Sequence, residues 1–77
     1  MPDIQSPLPG TFYHAPSPES DSFKKPGDAV DAADTIGLVE VMKTFIEVKA
    51  EVYGTFEGYV AGNAEPVQAG DVLAKVG

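Results

Sequence analysis

An all-β fold built from two matched halves is predicted by three features of the sequence. Polar and apolar residues alternate at Ile46, Val48, Ala50 and Val52 against Glu47, Lys49 and Glu51, the period of two expected of a half-buried strand. Seven prolines and eight glycines punctuate the chain, and no stretch carries a helical period. Third, the chain repeats itself. Val30–Val39 lies over Val67–Val76 at an offset of 37 (67 − 30), and Gly10-Thr11-Phe12 over Gly54-Thr55-Phe56 at an offset of 44 (54 − 10). The offsets differ by seven, so the first half carries seven residues that the second lacks, between Phe12 and Val30. Two such halves predict a pseudo-symmetric pair of small sheets packed face to face.

The elements follow in order. Met1 to Ser6 opens with an initiating methionine and a short strand, and Ser6-Pro7-Leu8-Pro9-Gly10 forces an extended segment into a turn. Thr11-Phe12-Tyr13 is a second strand. His14 to Ser22 reads as an exposed loop, stiffened by Pro16 and Pro18, with Phe23 anchoring its far end to the core. Pro26-Gly27 makes another turn. Ile36 to Val41 is β-branched and apolar enough to pair with the alternating strand that follows. A two-residue loop at Met42-Lys43 then sets Val39 against Ile46 and Gly37 against Val48, with the apolar residues of both strands on one face. The predicted core is Phe12, Val39, Ile46, Val48, Phe56 and Val72.

That hairpin singles out Lys43. Two-residue loops favour Asn-Gly or Asp-Gly, which reach positive φ cheaply, and Met-Lys does not. Local rules broken at one spot point to a functional or strained site, although any hairpin tip can carry a solubilising lysine.

Composition narrows the function. The chain is one small domain, residues 1–77, near the size at which a single core is marginal, and it has no cysteine for a disulfide or thiolate site. Five lysines, no arginine and twelve acidic residues give a net charge of −7, so a basic footprint for nucleic acid or anionic lipid is missing. The lone His14, among Pro and Ser, reads as a solvated loop histidine and not a metal ligand. No apolar run reaches membrane-spanning length and no signal peptide is visible, which predicts a cytoplasmic protein.

Glu40-Val41-Met42-Lys43 resembles the Glu-Ala-Met-Lys signature of biotinyl domains. The resemblance extends to the Ser-Pro-x-x-Gly-Thr-Phe-Tyr run at Ser6–Tyr13, to Pro16-Ser17-Pro18 and to the paired Gly-Asp turns. The inserted loop is similar to the "thumb" of biotin carboxyl carrier proteins of acetyl-CoA carboxylase. The resemblance implies a flattened eight-stranded β-barrel or sandwich with quasi-twofold symmetry. It implies biotin joined to Lys43 by a biotin protein ligase, with Glu40, Val41 and Met42 as the attachment motif and Ala15 and Pro16 as thumb contacts. It also implies a monomeric, non-catalytic carrier serving a biotin carboxylase and a carboxyltransferase in acetyl-CoA or related acyl-CoA carboxylation, for fatty acid biosynthesis. No acid–base pair or nucleophilic triad is visible in the sequence. Three positions depart from the family pattern. Alanine is usual at Val41, an apolar residue such as methionine at Thr44, and a threonine that bonds the ureido group at Ala15. A lipoyl carrier or an unmodified binding module of the same fold are the alternatives, although lipoyl tips usually read Asp-Lys-Ala. The family's Pro/Ala-rich linker and N-terminal assembly segment are not in the sequence, which is either a natural short form or an excised domain.

Overall fold

The computed structural model describes residues 3–17 and 19–77. Met1 and Pro2, read as opening the first strand, and Pro18, read as a loop stiffener, lie outside the described residues. The strands are β1 (Asp3–Gln5), β2 (Gly10–Tyr13), β3 (Ala29–Val30), β4 (Thr35–Val41), β5 (Thr44–Lys49), β6 (Gly54–Tyr59), β7 (Glu65–Val67) and β8 (Val72–Val76). They form two antiparallel four-stranded sheets, ordered β1-β8-β6-β3 and β5-β4-β2-β7, which pack as a flattened sandwich.

Replacing each strand by the one four places along the chain converts one sheet into the other, the quasi-twofold symmetry expected. The halves are interleaved, however. Each sheet takes two strands from β1–β4 and two from β5–β8, so the reading of one sheet per half does not hold. The physical reason lies in the connections. Short turns carry the chain across from one sheet to the other, which gives each half's apolar residues a facing partner that a lone sheet of short strands would lack. Among the described residues, only the β4–β5 hairpin stays within one sheet.

The crossing turns are built twice from the same parts. Asp34 N donates to Asp31 O at 2.9 Å, and Asp34 Oδ2 accepts the Asp31 N–H at 2.9 Å. At an offset of 37 (71 − 34), Asp71 N donates to Gln68 O at 3.0 Å and Asp71 Oδ2 accepts the Gln68 N–H at 2.8 Å. The bulges repeat as well. Ile36 is the extra residue of β4 against β5, and Leu73 the extra residue of β8 against β1. Both are fully buried.

The core pairs off across the symmetry: Phe12 with Phe56, Ile36 with Leu73, Val39 with Val76, Val30 with Val67 and Ile4 with Val48. Four of the six predicted core residues are buried, Phe12, Val39, Val48 and Phe56. Ile46 and Val72 are only half-buried. Ile46 stands beside the hairpin end, where Met42 and Phe45 are already in solvent. At Val72 the bulge turns both Leu73 and Ala74 inward, which breaks the alternation that would have buried the residue before them. Phe23 is also half-buried and outside the core cluster, so it does not anchor the loop as expected; its backbone N–H does, on His14 O at 2.8 Å.

Candidate functional site

The hairpin has the predicted register, Val39 against Ile46 and Gly37 against Val48, and Val41 pairs with Thr44 to leave a two-residue loop. Met42 has φ 50° and Lys43 φ 67°. Positive φ at both central residues is the form whose twist matches the flanking strands. Without glycine it costs about 1–3 kcal/mol per residue, and the β4–β5 ladder holds it in place. Sequence economy would put Asn-Gly here. A long amine stands there instead, at the apex of the one connection among the described residues that does not cross between sheets.

Met42 is 93% exposed, and Lys43 is exposed beside it. Lys43 takes part in none of the ion pairs among the described residues. By contrast Lys24 Nζ sits 2.9 Å from Asp34 and Lys49 Nζ 2.9 Å from Glu47, with Lys25 a looser 3.9 Å from Asp21. Lys75 is exposed along β8, away from any turn tip. The attachment motif divides by depth: Val41 packs partly against the core, Glu40 is half-buried, and Met42 and Lys43 project. Glu40 Oε1 accepts a hydrogen bond from Tyr13 Oη at 3.1 Å. That bond, with some burial and the Glu40 charge, holds the Tyr13 hydroxyl above its ordinary pKa.

Beside the hairpin lies an open groove of about 350 Å³, at the small end of ligand-sized clefts. Its lining comes from three places: Tyr13, Ala15, Pro16 and Ser17 at the end of β2 and in the loop after it, Phe45 on the hairpin, and Asn63 and Ala64 in the turn after β6. Tyr13 and Phe45 rings meet at 6.2 Å, and Phe45 remains 56% exposed. Ala15 and Pro16 are thus brought together with Phe45, two residues past Lys43, while Lys43 itself is not part of the lining. An apolar trough with aromatic walls suits a small apolar ring system with a polar edge.

The loop is held at its neck. Phe23 N closes it on His14 O, His14 N donates to Asn63 Oδ1 at 2.8 Å, and Ser20 N donates to Ser17 O at 3.1 Å. His14 is not the solvated histidine predicted. Its ring stacks on Tyr59 at 3.7 Å and 10°, meets Phe12 edge-on at 5.4 Å, and donates from Nε2 to Ala61 O at 2.7 Å. Its partners are more than forty positions away in sequence, which is why local composition misread it. Phe45, Asn63 and Ala64 were missed too. Phe45 alone left a signal, since it shares the outward parity of Glu47 and Lys49 and breaks their polar pattern.

Among the described residues no group of three His, Cys, Asp or Glu side chains could hold a metal, and no helix is long and apolar enough to cross a membrane.

Residues 2–76 match the family described as "Biotin-requiring enzyme". The chain is similar to the biotin carboxyl carrier protein of acetyl-CoA carboxylase from Chlamydia muridarum, 49% identical over 95% of this chain and 45% of the relative. The same-named protein of Pseudomonas aeruginosa is 42% identical over 84% of this chain and 42% of its own length. A chloroplastic counterpart from Glycine max is 39% identical over 87% and 26% respectively. The chain therefore spans less than half the length of these relatives.

Proposed function

Because the chain belongs to the biotin-requiring family, we propose that it is the carrier domain on which such an enzyme holds its biotin, with Lys43 as the attachment residue. The observation that carries this reading is the Met42-Lys43 tip. One amine is raised on a strained, non-glycine turn, on the single connection among the described residues that stays within a sheet. A primary amine is the side chain an activated carboxylate acylates to a neutral, durable amide. The carboxylate must be activated and the amine aligned with it, and both tasks belong to a biotin protein ligase. The ligase reads a rigid hairpin, with Glu40 fixed by Tyr13 and Met42 projecting beside the target.

Bound biotin supplies a ureido nitrogen that accepts and gives up a carboxyl group. The domain's own residues do the rest. The hairpin presents the arm, and tethering raises the arm's concentration at each partner active site. The groove between Ala15-Pro16 and Phe45 receives the head group, with Tyr13 and Phe45 covering its apolar surface. The relatives' names support, as the partners we propose, a biotin carboxylase and a carboxyltransferase acting on acetyl-CoA or a related acyl-CoA, for fatty acid biosynthesis, and we place the domain in the cytoplasm. The domain is itself non-catalytic and monomeric.

Intact-mass measurement after treatment with biotin, ATP and a biotin protein ligase tests the assignment. One biotin increment is expected on the parent, mapped to Lys43, and none on Lys43→Arg, whose fold is retained because the exposed lysine makes no ion pair among the described residues. A lipoyl increment on protein isolated from cells, or biotin carried by the arginine variant, would overturn it.

A further inference from the structure

Of the residues that line the groove, Asn63 stands apart in its unused hydrogen-bonding capacity. Its Oδ1 accepts the His14 backbone N–H at 2.8 Å. A backbone N–H requires an oxygen acceptor, so this contact fixes which way round the amide lies. Nδ2 then keeps two donor hydrogens, and no hydrogen bond among the described residues uses them. The other polar side chains of the lining are engaged. Tyr13 Oη donates to Glu40, and Ser17 Oγ lies 2.8 Å from Ser20 Oγ. Ala15, Pro16, Phe45 and Ala64 have no side-chain donor at all.

Asn63 is also held where a recognition group needs to be. It follows β6 in the turn whose Ala64 N–H donates to Phe12 O at 2.7 Å, and its neighbour Ala61 receives the His14 ring at 2.7 Å. The amide is thereby fixed at both the turn and the loop neck, so little side-chain freedom remains to be lost when a ligand binds.

A cyclic urea presents a strong carbonyl acceptor on the edge of a compact ring system. We propose that Asn63 Nδ2 is the side-chain donor that recognises the ureido carbonyl of biotin carried on Lys43, within the groove that Asn63 and Ala15 both line. The inference rests on the carrier reading above and goes further by naming the residue that selects a urea. A ring of the same shape without the carbonyl acceptor gains nothing from Asn63 and docks less well.

The test uses NMR on the whole chain, biotinylated and unbiotinylated, with the Tyr13 and Phe45 ring resonances reporting occupancy of the groove. Asn63→Asp keeps an oxygen for the His14 N–H and removes the amide donor. Its docked-to-free ratio is expected to fall about fivefold, the scale of one lost hydrogen bond, with the His14 amide still protected from hydrogen exchange. Adding Ala15→Thr, which places a hydroxyl donor elsewhere in the lining, is expected to restore docking. Equal docking in the parent and Asn63→Asp overturns the proposal. So does loss of the His14 amide's exchange protection, which would make Asn63 a strut of the loop, and so does failure of Ala15→Thr to restore docking. If mass analysis finds biotin on Lys43 but the parent's ring resonances are the same with and without it, the inference falls while the carrier reading stands. Biotin absent from Lys43 removes the carrier reading itself.

Discussion

The connection from β2 to β3 and the one from β6 to β7 are equivalents under the quasi-twofold, and they have been put to different uses. Both end on the same contact: Gly27 N donates to Phe56 O at 2.8 Å, and Ala64 N to Phe12 O at 2.7 Å. Between these fixed points the first connection carries seven extra residues. The two nonetheless meet. The His14 amide and ring bond to Asn63 and Ala61, and the longer loop and the shorter turn both line one groove. Symmetry supplies a rigid frame twice, and the departure from symmetry makes a site. A loop added to an intact frame has only its own closure to offset, which grows slowly with length.

Phe12→Ala and Phe56→Ala should break the shared frame most severely. Each ring is fully buried, so each substitution is expected to cost about 3–5 kcal/mol, a large part of a small domain's stability. Urea denaturation should give similar losses for the two. A mild effect for one of them would mean that the halves do not share the core equally. Ile46→Ala, at a half-buried position, is expected to cost less than either.

Replacing residues 15–22 with a short glycine-containing turn patterned on residues 57–65 isolates the insertion. The shortened chain is expected to fold, to melt within a few degrees of the parent and to accept biotin, but to lose docking of the head group. Failure to fold would show that the loop neck at His14 and Phe23 belongs to the frame after all.

The matched turn residues sharpen the comparison on a finer scale. Gly27 has φ 96° and a Cβ there would meet no neighbour, whereas Ala64 holds φ 62° with a side chain. Gly27→Ala is expected to destabilise by about 1 kcal/mol through backbone strain alone, and Ala64→Gly to stabilise by a few tenths. Thermal melts of the two variants should therefore move in opposite directions.

The smallest effect concerns charge. Lys24, brought in by the longer connection, bonds Asp34, and with the Asp31 backbone N–H it holds that carboxyl below its ordinary pKa. A lowered carboxylate pKa stabilises the fold above the unfolded value, and the contribution is lost as pH falls through the folded one. Lys24→Met is expected to raise the Asp34 midpoint in an NMR titration and to make stability less sensitive to acid. An unmoved midpoint would assign the shift to the turn alone.

Much of this was legible in the sequence, for identifiable reasons. The β4–β5 register could be read because period two admits a single pairing that puts Val39, Ile46 and Val48 on one face. The quasi-twofold could be read because each half kept its Gly-Thr-Phe and its Val-to-Val block. The interleaving could not, since a repeat identifies equivalent strands without saying which of them pair. Burial failed at Val72 because an apolar run hides a bulge. The groove escaped because His14, Phe45 and Asn63 come from three separate connections or strands and acquire their roles only from one another.

The interleaved sheets also bear on how the chain is made. β8 lies inside one sheet, between β1 and β6, and β7 closes an edge of the other beside β2. These are the last two strands of the fold in chain order, and neither sheet is complete without them. Folding dominated by such distant pairings is slow, on the order of milliseconds to seconds, and close to all-or-none. The β4–β5 hairpin is the local exception, able to form early, but the ladder that holds its strained tip is supported only once β2 and β7 have docked. A chain cut short of β7 and β8 would thus carry Lys43 without displaying it, so that on the carrier reading a ligase meets the lysine in its presented form only once this fold is complete.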